Sequence, residues 1–150
     1  MFNDAFLAQE GWLGRERTGT VRDVVTNRFN EGAEIFVRPN ETVASAFARM
    51  RAADVSQLPV IENGKVAGLV DESDLLEALV GAGAYIGRVF KTPVREVMTS
   101  RLETIAAGAP VEELLPLFAR NLVPVVMEGG DFIGLVTRID LINYFRVRGR

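Results

Sequence analysis

The chain has 150 residues, is 48% hydrophobic and 25% charged, and carries a net charge of -3, the profile of one globular domain or of two small units sharing a core. It contains neither cysteine nor histidine, which removes disulfides, thiol nucleophiles, the commonest metal ligand and the commonest general base. Its 17 basic residues are spread along the sequence, so nothing points to nucleic acid, and no apolar run reaches the roughly 18 residues of a membrane span, so a cytoplasmic location is expected.

In chain order, residues 2–10 set Phe2, Phe6 and Leu7 among polar neighbours at the spacing of a short amphipathic helix. Gly11 ends it, Trp12 and Leu13 follow as apolar anchors, and the glycine-punctuated stretch 14–20 reads as a linker. Val21 to Thr26 suits one helical turn, and Glu34-Ile35-Phe36-Val37 is an extended run closed by Pro39. Val43, Ala46, Phe47 and Met50 fall at i, i+3, i+4 and i+7, the apolar face of a helix that Thr42 is suited to open. Strands over 57–61 and 66–70 flank Asn63-Gly64, a turn that needs positive φ. A helix follows from Glu72 to Val80. Gly81 to Gly87 reads as a flexible connector, since it lacks the lysine and preceding strand of a phosphate-binding loop.

The series then recurs. Val94 to Thr99 matches the first turn, Leu102 to Ile105 the extended run, and Val111, Leu114, Leu115 and Phe118 the helix face. Pro110 suits the start of that helix, whereas Pro116 lies inside it and should kink or shorten it. Strands over 122–127 and 132–136 flank Gly129-Gly130, and a last helix runs from Arg138 to about Arg148. The most telling repeat is a strand turning straight into a helix, Gly134-Leu135-Val136-Thr137-Arg138-Ile139-Asp140-Leu141, found earlier as Gly68-Leu69-Val70-Asp71-Glu72-Ser73-Asp74-Leu75. The chain thus divides into an N-terminal helix and linker (1–19), a first repeat (20–82) and a second (83–150).

With Pro59 and Pro124 in the middle strands and Gly-hydrophobic-hydrophobic-Thr-x-x-Asp-Leu at the last strand–helix turn, the chain resembles the CBS domain family. Two copies over about residues 20–147 resemble a CBS pair, or Bateman module. The second copy carries the signature in full through Thr137, Asp140 and Leu141; the first has Asp71 where threonine is usual. Residues 2–13 resemble the segment joining the pyridoxal-phosphate core of bacterial cystathionine β-synthase to its C-terminal CBS pair. The resemblance implies an α+β fold, two β-α-β-β-α repeats packed sheet to sheet with pseudo-twofold symmetry. It also implies two clefts, each joining the Thr/Asp turn of one copy to the residues before the strand proline of the other. One cleft would use Thr137 and Asp140 with Val55, Ser56, Gln57 and Leu58, and with Glu34 and Ile35 of the first strand. A second, weaker cleft would use Asp71 and Asp74 with Arg120, Asn121, Leu122 and Val123. Homodimers are implied as well, with Leu75, Leu79, Leu141, Ile142, Tyr144 and Phe145 as either interface or core residues.

A carboxylate in the first turn of a helix, beside free N–H groups, suits the vicinal hydroxyls of a ribose. Thr137 and Asp140 also form a helix-capping box worth about 1 kcal/mol with no ligand involved, and the two roles are compatible. The Asp140 cleft offers Ser56 and Gln57 but few fixed cations, Arg138 being the nearest, so a buried triphosphate would be costly there. S-adenosylmethionine, whose sulfonium and carboxylate partly offset each other, is therefore favoured over AMP or ATP. In the Asp74 cleft Arg120 could meet a phosphate, but Asp71 would repel it. The expected function is a regulatory module that senses an adenosine-containing small molecule and controls an upstream catalytic domain, a pyridoxal-phosphate enzyme. No cofactor, metal or catalysis of its own is expected. The alternative is a structural homodimerisation module with empty clefts.

Overall fold

The computed structural model of the chain describes residues 19–148 apart from 27, 30, 31, 33 and 34. The helix expected over 2–10, nearly all of the linker after it, and Glu34 lie outside the described residues. The chain opens on a single turn, α1 (Val21–Val24), whose N-cap Thr20 is closed by Asp23. Helix α2 (Val43–Ala53) starts at Thr42, whose hydroxyl accepts the Ser45 N–H at 3.1 Å, the expected N-cap geometry. Val43, Ala46 and Met50 are buried, whereas Phe47 remains at the rim, its ring edge-on to Phe90.

The hairpin of β1 (Gln57–Glu62) and β2 (Lys65–Asp71) turns at Asn63 and Gly64, both at positive φ, and pairs Gln57 with Asp71 at its open end. The chain runs from there without a loop into α3 (Glu72–Ala82). The glycine-rich segment that follows is helical rather than a loose connector. Helix α3 continues through Gly81, Gly83 turns the backbone at φ +53, a 3-10 turn covers Gly83–Tyr85, and α4 (Ile86–Val89) follows. Burial of Val89 in the first core ties that segment down.

The second half repeats the plan: a 3-10 turn (Val94–Glu96), β3 (Thr104–Ala106), a 3-10 turn (Val111–Glu113), α5 (Leu114–Ala119), then β4 (Val125–Glu128), β5 (Asp131–Leu135) and α6 (Arg138–Arg148). Pro116 falls in the first turn of the shortened α5, where a helical N–H has no intrahelical partner to lose. Strand β3 runs parallel to β4, and β4 antiparallel to β5. The matching extended run of the first half is reduced to one parallel bridge, Val37 with Val60. Both hairpins carry a bulge at the same place, after Val60 and after Val126. The two sheets meet through Ile61, Val125, Phe132 and Leu135, with Val66 and Leu69 packed against them.

The opening segment of each repeat packs on the other repeat. Val21 and Arg22 donate their N–H groups to Ala109 O and Ala107 O at 2.9 Å each, and Val94 and Arg95 to Glu41 O and Pro39 O at 2.8 and 3.1 Å. One core accordingly combines Val21, Val24 and Val25 with Ile105, Leu114, Phe118 and Leu141. The other combines Val94 with Val37, Val43, Leu58 and Leu75. Gly68 permits this exchange: a Cβ there would lie 2.7 Å from Thr99 O and 2.8 Å from Met98 Sδ, closer than packed atoms tolerate. Among the described residues no helix is long and apolar enough to cross a membrane.

Candidate functional site

Both strand–helix junctions are closed by the same hydrogen-bonded device. At the second, Thr137 N–H donates to Asp140 Oδ2 at 2.9 Å and Asp140 N–H donates to Thr137 Oγ1 at 3.4 Å. At the first, Asp71 N–H donates to Asp74 Oδ2 at 3.0 Å and Asp74 N–H to Asp71 Oδ1 at 2.8 Å. Each helix aspartate also accepts a hydroxyl from the opening segment of the opposite repeat. Thr26 Oγ1 lies 3.2 Å from Asp140 Oδ1, and Thr99 Oγ1 lies 3.1 Å from Asp74 Oδ1. A carboxylate has about four acceptor sites, so these contacts leave room for a further donor.

The junctions differ in charge. The first sets Asp71 against Asp74. Burial pushes the Asp74 pKa above the usual carboxylate range, and the Asp71 charge adds to that, against the hydrogen bonds from Asp71 N–H and the Thr99 hydroxyl. The second has a neutral cap, Thr137, and places Arg138 where the first has Glu72.

A cavity of about 420 Å³ opens at the second junction. Thr137, Arg138 and Ile139 form one wall, and the loops before the middle strand of both repeats, Asp54 to Gln57 and Asn121 to Val123, face them together with Phe118. Asp54 and Asn121 end α2 and α5 in the left-handed region, at φ +57 and +60, where Asp and Asn are the usual non-glycine residues. Arg138 is held in place. Its Nη2 donates to Phe118 O at 2.7 Å and to Asn121 Oδ1 at 2.6 Å, and its guanidinium lies 5.7 Å from the Phe118 ring centroid. Both bonds use one nitrogen of a group with five N–H donors.

The structure regroups the residues expected in two clefts. Thr137, Val55, Ser56 and Gln57 share the cavity, but Asn121, Leu122 and Val123 line it too, rather than a separate cleft with Asp71 and Asp74. Gln57 pairs with Asp71 across its own hairpin, and the loops of the two repeats lie face to face beside α6. Leu58, one residue further along the strand, points the other way into the first core. Ile35 and Arg120 are exposed, and neither they nor Asp71, Asp74 and Asp140 line the cavity. Asp54, Phe118 and Ile139 enter the site unforeseen, whereas Arg138, expected as the nearest cation, does line it. Asp54 was signalled locally, by closing the helix before the predicted loop.

Of the residues expected at a dimer interface, Leu75 and Leu141 belong to the two cores, and Leu79, Tyr144 and Phe145 are half-buried against them. Ile142 is 60% exposed, as are, to similar degrees, Leu76, Val80 and Ile139 on the same two helices. A second, apolar cavity of about 360 Å³ lies between α2 and α3, lined by Phe47, Leu76, Leu79 and Phe90 among others.

Two small sheets, each feeding a capped helix, with a cleft where the halves meet, define a tandem-repeat α+β module. The chain belongs to the CBS domain family, which its residues 21–81 and 94–147 both match. It is 31% identical to inosine-5'-monophosphate dehydrogenase of Korarchaeum cryptofilum over 130 residues, which are 85% of this chain and 23% of that protein. It therefore spans less than a quarter of the dehydrogenase. It is 29% identical to the CBS domain-containing protein YhcV of Bacillus subtilis over 108 residues, 70% of this chain and 74% of that one. The crystal structure of CBSX2 in complex with AMP shares the fold, with a TM-score of 0.74 at 24% identity over 88% of this chain and 99% of that chain. CBS domains are regulatory ligand-binding modules, and both repeats of this chain are such domains. These likenesses identify the family without singling out cystathionine β-synthase as parent.

Proposed function

We propose that this CBS pair is a sensor for an adenosine-containing ligand, bound in the cleft beside Thr137. The observation that carries this reading is the cleft itself, about 420 Å³ in volume and built from both repeats, with Thr137 and Arg138 on one wall and Ser56, Gln57 and Asn121 facing them. That volume lies within the range of small-molecule sites, and its mixture of apolar walls with a few polar groups is typical of them. CBSX2, of the same fold, was crystallised with AMP. A ligand touching both loops bridges the two repeats, so its binding free energy would act on their packing. By linkage, the state of an attached catalytic domain would then alter ligand affinity by the same factor as the ligand alters that state. On this reading residues 2–13, which resemble the joining segment of cystathionine β-synthase, supply the link to a pyridoxal-phosphate enzyme. The module would act as a homodimer through exposed apolar side chains such as Leu76, Ile139 and Ile142.

The preference for S-adenosylmethionine drawn from sequence rested on a cleft poor in fixed cations; Arg138 on the cleft wall weakens that premise. A second reading, a structural dimeriser with empty clefts, draws on the same apolar helix faces and on the acidic first junction, whose Asp71 and Asp74 line no cavity among those described. Melting curves with AMP, ATP and S-adenosylmethionine separate the two. At about 100 times its dissociation constant a ligand should add about 2.7 kcal/mol, or roughly 5–10 °C. A melting temperature unmoved by any of them favours the dimeriser.

A further inference from the structure

Resting on that adenosyl-cleft reading, we infer that Arg138 takes the ligand's anionic group and makes the cleft selective for a nucleoside monophosphate over the uncharged nucleoside and the triphosphate. Arg138 is the one cation among the described residues lining the cavity. Its guanidinium is already oriented by Phe118 O, Asn121 Oδ1 and the Phe118 ring, so little side-chain freedom is lost when a phosphate docks on the remaining donors. The capping box already occupies the Thr137 and Asp140 N–H groups, so at the start of α6 only the N–H groups of Arg138 and Ile139 are left to support the guanidinium.

Charge sets the upper limit on the anion. Asp54 lines the same cavity, so the fixed charges there sum to about zero and one phosphate is tolerated, whereas a triphosphate would bring about four negative charges to a single guanidinium. The pseudo-symmetric position at the first junction is Glu72, which would repel a phosphate. Selectivity is therefore expected on one side of the module only.

Calorimetric titration of the 150-residue chain with adenosine, AMP, ATP and S-adenosylmethionine tests this. AMP should bind about 10- to 100-fold tighter than adenosine, the range of a charge-assisted hydrogen-bond pair, and tighter than ATP or S-adenosylmethionine. In Arg138→Gln, which removes the charge, the AMP-to-adenosine ratio should fall to near one. Arg138→Lys, which keeps the charge without the fork, should retain part of it and serves if the glutamine variant fails to fold. A ratio near one in the native chain, a ratio unchanged in both variants, or S-adenosylmethionine outranking AMP overturns the role of Arg138 while leaving the adenosyl cleft standing. No binding of any of the four overturns both.

Discussion

The two strand–helix junctions of this chain are the same backbone solved twice with different side chains. At both, the first residue and the aspartate three positions on exchange backbone N–H bonds, and at both a threonine from the opposite repeat donates to that aspartate. Two adjacent positions set their difference in charge. Asp71 and Glu72 make the first junction acidic, with the Asp74 pKa raised by burial and by Asp71, while Thr137 and Arg138 make the second neutral at the cap and cationic beside the cleft. A capping box is thus a structural device first. What it can do for a ligand is decided by the residues around it and by which loops the fold brings opposite.

The most severe test of the pairing concerns its cores. Leu58 and Leu114 are each about 1% exposed or less, one in each core, and replacing either by alanine should cost about 2–5 kcal/mol. Because each core contains the opening segment of the other repeat, both variants should lower a single unfolding transition in urea; a loss confined to one of two separable transitions would mean that the exchange does not couple the halves. Next in size are the caps. Asp140→Ala removes the acceptor of both Thr137 N–H and Thr26 Oγ1 and should cost about 1–2 kcal/mol, with Asp74→Ala costing less because its buried charge is itself unfavourable.

The smallest effect is also the most specific to the comparison. Asp71→Thr gives the first junction the cap of the second, and relief of the repulsion on Asp74 should raise stability at neutral pH by a few tenths of a kcal/mol. The pH dependence follows from the sign of the shift. A carboxyl whose folded pKa is raised holds its proton more tightly in the native state, so its contribution is fully present below the unfolded pKa and lost as pH rises through the folded one. Melting temperatures from acid to neutral pH should therefore fall less through that window in Asp71→Thr than in the native chain.

What could be read from sequence was what local chemistry dictates. Asn63-Gly64 and Gly129-Gly130 marked the hairpin turns through their need for positive φ, and Pro116 announced the shortened α5. Resemblance to the CBS family added the tandem α+β pairing. The exchange of openings was not legible, because Val21, Val24 and Val94 belong to single turns whose apolar faces carry no sign of which core will bury them. The family resemblance pairs the turn of one repeat with the loop of the other and so implies Asn121 to Val123 with Asp74, whereas they lie across the cleft from Thr137. The seven residues from Gly81 to Gly87 read as flexible from composition; their helical turns are held by tertiary burial of Val89.

The central claim is that ligand binding belongs to the Thr137 junction and not to its acidic twin. Thr137→Asp tests it most directly, since Asp71 demonstrates that aspartate closes the same box and only the charge at the cleft changes. Titrated with AMP, the native chain should bind one ligand per chain, Asp71→Thr should do the same, and Thr137→Asp should bind at least tenfold more weakly, with its stability lowered by only the few tenths of a kcal/mol that an aspartate cap facing Asp140 costs. Two ligands per native chain, or undiminished affinity in Thr137→Asp, would contradict the account.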